Sequence, residues 1–293
     1  MKTHTIQRNA WKFLLIIATS TVFAILLHQV HHDPLMSLST KPQSIVITSG
    51  WFPPVAFAAL ALAFCAMGLI FLGIQKALEG TKTKKGILFG LALGGMYLIG
   101  MIEACVIFPV SLFGELYTGI ADSCGILLMS LLLGKYMADD ALNREKNTSP
   151  TFPAIVIIPV IYVVVRYFSY TVLHIESSCT TRPFATFLWT AGMGGWIGIM
   201  YRLVGRDIWH KHPFKQAVVF GGLVFGLNWL VFNLFALLFI VVPVIDLVYR
   251  SVFDALAIIM GVYIFTLFQK RHTMWHWRTL KRSYWGEYWS KCG

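Results

Sequence analysis

The chain has 293 residues, of which 57% are hydrophobic and 13% charged, with a mean hydropathy of +0.69 and a formal net charge of +11. A soluble domain carries about 45–50% apolar and about 25% charged residues, so this chain has too few charges to coat a soluble globule of its size. The composition excludes a disordered chain, a collagen-like fibre and a small disulfide scaffold, and leaves a membrane protein.

A membrane-crossing helix needs about 20 mostly apolar residues. Eight segments qualify, in chain order 11–30, 52–75, 86–110, 119–136, 152–173, 184–203, 217–244 and 251–268. The first does not read as a cleaved signal peptide. Its apolar core is too long, and His28-Gln29-Val30-His31-His32 offers no small-residue cleavage site. Lipid offers no partner to an open strand edge, so the expected fold is all-α, a polytopic membrane bundle of eight transmembrane helices. Residues 1–269 form one transmembrane domain, and 270–293 form a basic, aromatic tail.

Orientation follows from the Lys and Arg of the short loops. The amino terminus, the loops after spans two, four and six, and the carboxyl tail together hold 20 of the 24 basic residues. Both termini are therefore expected in the cytoplasm, in a plasma (inner) membrane. Of the rest, Lys41, Arg182 and Arg250 fall on the opposite side and Arg166 falls within span five. Against six acids, the 20 cytoplasmic bases leave +14; the other four bases meet seven acids and leave −3 outside and within the bilayer.

The segments 11–136 and 152–269 share an order of landmarks. Leu27-His28 and Leu173-His174 end spans one and five. Met67-Gly68 and Met193-Gly194 lie inside spans two and six. Phe89-Gly90-Leu91 and Phe225-Gly226-Leu227 mark spans three and seven, and Asp122 and Asp254 open spans four and eight. This order is compatible with a parallel 4+4 repeat about an axis along the membrane normal, with a site between the halves. The bland alternative is eight helices with similar helix-start chemistry.

A charge inside a span is expensive and by default faces the bundle or a cavity. Glu103 and Arg166 lie at matching depths, about two-thirds outward along spans three and five, so an ion pair is geometrically open to them. The functional reading is a gate, a coupling site or a carboxylate clamp; the structural reading is a pair that locks two helices. Asp122 and Asp254 begin helices, where an acid favours the helix dipole, or they face a cavity. Asn228 and Asn233 are expected to hydrogen-bond between helices. Pro159, within two turns of Arg166, marks span five as a moving or substrate-facing helix.

His28, His31 and His32 share a helical face, and His174 and Glu176 end span five on the same side. A metal site from His28, His32, His174 and Glu176 is one reading, and interfacial histidines without a ligand role the other. Cys124 and Cys179 lie near the outer face, where an oxidising compartment would allow a disulfide. Cys105 follows Glu103 by two residues and reads as an inert buried thiol or as a nucleophile with a histidine base. Glycines at 86, 90 and 94 and at 192, 194, 195 and 198 mark close helix contacts.

The tail from Lys270 to Trp289 mixes bases with aromatic rings directly after span eight. That suits a segment lying on an anionic inner leaflet, so lipid and not nucleic acid is the expected partner. There is no Walker loop, GxGxxG, GxSxG or kinase set, and no cofactor is expected beyond the metal-ion option at the outer face.

The leading expectation is a transporter-type carrier of a small solute or cation. Its polar cavity in the outer half would be lined by Glu103, Arg166, Asp122, Asp254, Asn228 and His174. Net negative charge there favours a cation or an amine-bearing solute, or proton coupling through Glu103. One rival is a membrane-embedded enzyme acting on lipid or a lipid-linked substrate at the outer leaflet, through His28, His32, His174, Glu176 and Cys105. Another is a non-catalytic assembly or immunity subunit.

Overall fold

The computed structural model describes residues 3–30, 41–140, 153–206, 208 and 212–292, with side chains described from residue 10 and as far as residue 270. Among the described residues the only strand-like pairing is an isolated bridge between Gln43 and Ile240. Everything else of regular structure is helical. The helices are α1 (Thr3–Val30), α2 (Ile45–Thr48), α3 (Phe52–Ile74), α4 (Lys82–Ile107), α5 (Leu112–Met137), α6 (Ala154–Thr171), α7 (Pro183–Met200), α8 (Pro213–Val218), α9 (Asn228–Leu234), α10 (Ala236–Phe239) and α11 (Val244–Cys292). Wide π-helical turns extend α7 through Tyr201–Gly205 and join α8 to α9 through Val219–Leu227.

Seven helical stretches are long and apolar enough to cross a membrane: Ala10–Val30, Phe52–Ile74, Lys82–Ile107, Leu112–Met137, Ala154–Thr171, Pro213–Phe239 and Val244–Lys270. The protein is a multi-pass helical membrane protein. Its outward face carries side chains such as Leu62, Leu69, Val164 and Leu188, all more than half exposed, which only a lipid solvent tolerates in such number. The predicted sixth span is helical over Pro183–Met200, but its glycines, threonines and tryptophans dilute its apolar character.

The element boundaries follow local chemistry. Thr81 and Ser111 cap α4 and α5, their side-chain oxygens accepting the backbone N–H of Lys84 and Gly114 at 3.4 and 3.3 Å. Prolines sit in the first turn of α3, α7 and α8, where the missing N–H costs nothing. Three predicted boundaries shift. Pro243 does not lie within span seven; the stretch ends at Phe239, and Pro243 immediately precedes α11. Helix α11 therefore starts at Val244 rather than residue 251, which brings Asp246 and Arg250 into it, and it runs on without a break into the tail. Helix α5 starts at Leu112 rather than residue 119, so Asp122 and Asp254 both lie inside their helices and not in the first turn.

Close packing is set by small residues. A Cβ at Gly86 would lie 2.2 Å from the Ser130 carbonyl oxygen, and one at Gly94 would lie 3.2 Å from the Ser123 side chain. Gly86, Gly90 and Gly94 recur every four residues, so one face of α4 is bare and the backbone of α5 fits against it. The same device appears where Gly221 meets Ile259 and Gly226 meets Ala255. Gly194 leaves room for Pro159, so the proline of α6 packs on α7. Helix α1 packs on α3 and α5, and α4 on α5; α6 packs on α7 and α11, and the Pro213–Leu234 stretch packs on α11. Between these groups α4 meets α7 and α3 meets α9. Trp196 and Trp189 donate to the α4 carbonyls of Ala92 and Ile99 at 3.0 and 2.8 Å and fix the first of these contacts.

The two ends of the bundle differ in charge. The end where α5 and α11 begin carries Glu115, Glu176 and Asp246 against Lys41 and Arg182 and is the acidic end. The opposite end carries Lys76, Lys82, Lys85 and Arg206 and is the basic end.

Candidate functional site: a buried charge cluster

Helix α6 buries Ile158, Tyr162, Arg166 and Tyr170, one residue per turn on a single stripe. That spacing, rather than any single residue, carries Arg166 into the interior, where it is 1% exposed. Its guanidinium is held on every side. Nη1 donates to Asp254 of α11, Nη2 donates to Glu103 of α4, and Nε donates to the Tyr170 hydroxyl at 2.9 Å. The rings of Tyr170 and Trp189 lie 5.3 and 5.2 Å from the guanidinium carbon, within cation–π range.

Asp254 also accepts from Trp229 Nε1 at 2.7 Å. Trp229 is pinned by stacking on Phe232 at 4.9 Å. Glu103 Oε1 accepts a second guanidinium donor, Arg250 Nη1, at 2.8 Å. Arg250 Nη2 donates to the Glu176 carbonyl at 2.6 Å, and Glu176 pairs with Lys41 at 2.8 Å. A continuous chain of polar groups thus runs from the acidic end to mid-bundle, through Lys41, Glu176, Arg250, Glu103, Arg166 and Asp254. Side-chain exposure falls along it from 32% at Lys41 to 6% at Arg250 and 1% at Asp254.

The predicted Glu103–Arg166 pair is therefore present, but as part of a four-membered cluster. The four buried side chains, two carboxylates and two guanidiniums, sum to zero charge, and the more exposed Asp246 pairs with Arg250 Nη2 at 3.8 Å from the outer edge. That balance is what makes burial tolerable, since removing one partner of a buried pair strands the other at about 3–5 kcal/mol. The expected net negative site is corrected by Arg250, which the sequence reading left among the outer loop cations. A signal was available: Asp246, Arg250 and Asp254 repeat every four residues and so share one helical face. Tyr162 and Tyr170, four residues either side of Arg166, were legible in the same way. Trp229 and Trp189 were not, because they reach the cluster from other helices.

Not every donor in the cluster is used. The Tyr162 hydroxyl and Arg250 Nε are buried and have no hydrogen-bond partner among the described residues. Buried polar groups are normally paired, and an unmet one points to a water, ion or ligand.

The other predicted site residues lie elsewhere. Asp122 does not join Glu103. It pairs with His28 of α1 at 2.9 Å, beside Tyr117, whose hydroxyl donates to the Leu27 carbonyl at 2.8 Å. Asn228 is buried, yet its Nδ2 donates within its own helix to the Val224 carbonyl at 2.7 Å. Asn233 does the same to Trp229 at 2.8 Å. Both amides thus bond the carbonyl four residues earlier along the same helical stretch instead of a neighbouring helix. His174 is exposed in the turn after α6 with φ of 52°, outside the cluster.

Among the described residues no group of three or more His, Cys, Asp or Glu side chains is placed to hold a metal ion. His28 is engaged by Asp122, Glu176 by Lys41, and His32 lies outside the described residues. Cys124 and Cys179, which an oxidising compartment would allow to pair, are free thiols in this structure, and Cys124 faces outward from α5. Cys105 is half-buried, and its carbonyl accepts from Arg182 Nη1 at 3.1 Å. A second polar knot closes the basic end, where Asp139 meets Lys76 at 3.1 Å and accepts from Gln75, and its carbonyl accepts from buried Lys85 at 2.9 Å. Compared with protein-family models, with curated proteins and with solved structures, the chain matches none.

Proposed function

We propose that the protein is a carrier that moves a small solute across the membrane, with Glu103, Arg166, Asp254 and Arg250 as its substrate or coupling site. The observation that carries this reading is the burial of four mutually neutralising charged side chains, drawn from α4, α6 and α11, within the membrane-crossing part of the bundle. Ionisable groups at such depth are costly and mark solute or proton pathways more often than they serve packing alone. The graded polar chain from Lys41 inward supplies an approach from one end, and the cluster's closure to solvent corresponds to an occluded state.

In this reading Pro183–Met200 with its π-helical extension is a further crossing, giving eight spans. Both termini lie in the cytoplasm of a plasma-type membrane, with the tail on an anionic leaflet. The bundle is also a parallel duplication. The packing of α1 on α3 and α5 and of α4 on α5 has its counterpart in α6 on α7 and α11 and in the Pro213–Leu234 stretch on α11. The two cross-contacts, α4 with α7 and α3 with α9, exchange under a two-fold axis along the membrane normal. Gly94 and Gly226, Ser123 and Ala255, and Asp122 and Asp254 each lie 132 positions apart, and both glycine contacts keep that register. His28–Asp122 then corresponds to Arg166–Asp254, a base on the first helix of each unit against an acid on its fourth. This replaces the sequence pairing of His28 with His174.

The test is uptake of a solute panel by vesicles containing the purified chain. Glu103→Gln and Asp254→Asn should each abolish movement when compared with wild type at equal amounts of folded protein in the vesicles. If the wild type moves no solute, and Glu103→Gln leaves the cell's phenotype unchanged, the carrier reading fails.

A further inference from the structure

Within the carrier reading, on which this step rests, we propose that the cluster takes a small carboxylate and carries it together with one proton. The hydrogen-bond inventory points this way. Arginine and tryptophan side chains only donate, and ionised carboxylates only accept. Around Arg166 and Arg250 the acceptors in use are Glu103, Asp254, the Tyr170 oxygen and the Glu176 carbonyl, with Asp246 3.8 Å from Arg250 Nη2. Two buried donors, Arg250 Nε and the Tyr162 hydroxyl, meet no partner among the described residues. Both residues are at least nine-tenths buried. A site with surplus donors is completed by a guest that only accepts; an amine or metal cation would compete for the acceptors already in use. Glu103 Oε1 sits between the two guanidiniums, accepting from both, and so marks where a planar two-oxygen group fits.

Charge balance supplies the proton. The empty cluster is neutral, and a bound anion would leave it at −1 in surroundings that penalise net charge. One proton from solvent, taken up by Glu103 as the guest's carboxylate replaces it between Arg166 and Arg250, restores the sum to zero. The guest and proton leave together, and Glu103 returns to the guanidiniums ionised.

The experiment uses the full chain in vesicles with an inward proton gradient and three labelled probes: pyruvate, inorganic phosphate and methylammonium. Protein-free vesicles are the blank. Pyruvate uptake should exceed the blank and collapse when the proton gradient is dissipated. Tyr162→Phe and Arg250→Lys should each lower it about tenfold, the loss of one hydrogen bond to a charged group. Tyr162→Phe removes no ion pair, so its melting temperature in detergent should not fall. Uptake of methylammonium or phosphate in place of pyruvate overturns the substrate class and leaves the carrier reading standing. Pyruvate uptake equal to wild type in both variants overturns the site. If no probe enters above the blank, both readings fall.

Discussion

Removing Arg166 alone should be worse than removing it together with the acid it holds. In Arg166→Met, Glu103 keeps Arg250 at 2.8 Å and Asp254 keeps only the Trp229 indole at 2.7 Å. The cluster passes from neutral to −1 at a position 1% exposed. Breaking a buried pair in this way costs about 3–5 kcal/mol, more than a hundredfold in the folding equilibrium. In Arg166→Met/Asp254→Asn the remaining Glu103 and Arg250 balance again, and the introduced amide still offers an oxygen to Trp229. The double variant should recover at least about 2 kcal/mol of the single variant's loss, leaving a cavity and packing term of about 1–2 kcal/mol. Unfolding in mixed micelles, followed by tryptophan fluorescence, measures each corner of the cycle. Additive losses, with the double variant as unstable as the sum of the singles, would refute the charge-balance argument. The same logic predicts rescue of Arg250→Met by Glu103→Gln.

Three further outcomes follow from the geometry. Gly86→Ala should cost about 1–3 kcal/mol and loosen the α4–α5 pair, because its Cβ would lie 2.2 Å from a backbone oxygen. Gly192→Ala, with nothing within 4 Å, should be neutral or stabilise by up to about 1 kcal/mol, and thermal melting of the two variants side by side checks both. Trp229→Phe should lose about 1.5–3 kcal/mol by taking a donor from buried Asp254, whereas Trp196→Phe, whose indole serves a backbone carbonyl, should lose less; unfolding curves of the two variants decide. At the basic end, the hydrogen bond from Lys76 holds the Asp139 carboxyl below its ordinary range. Its contribution is present above the unfolded carboxylate value of about 3.9 and disappears as pH falls through the lower folded value. The melting difference between wild type and Asp139→Asn should therefore hold from pH 7 to about 5 and shrink progressively as the pH falls below the unfolded carboxylate value of about 3.9.

The sequence by itself settled what covalent order and solvent preference control. Apolar run length set the all-helical membrane architecture, since each helix satisfies its own backbone in lipid. Apolar run length also placed the starts of α3, α4, α7 and α8 within four residues but that of α5 seven residues late, and matched depth along two spans brought Glu103 and Arg166 together. What the tertiary structure decided is the identity of the partners across helices. Helix rotation, fixed by which glycine faces which backbone, turned Asp122 toward α1 and Asp254 toward α6 at the same register in each helix, and the partner met there is His28 in one case and Arg166 in the other. The extension of α11 back to Val244 moved Arg250 from a loop into the interior, where the four buried side chains balance, and set Asp246 beside it at the edge. A stripe of residues four apart can be read from one helix. Its opposing partners depend on packing angles and on bare glycine faces that only the folded bundle brings together.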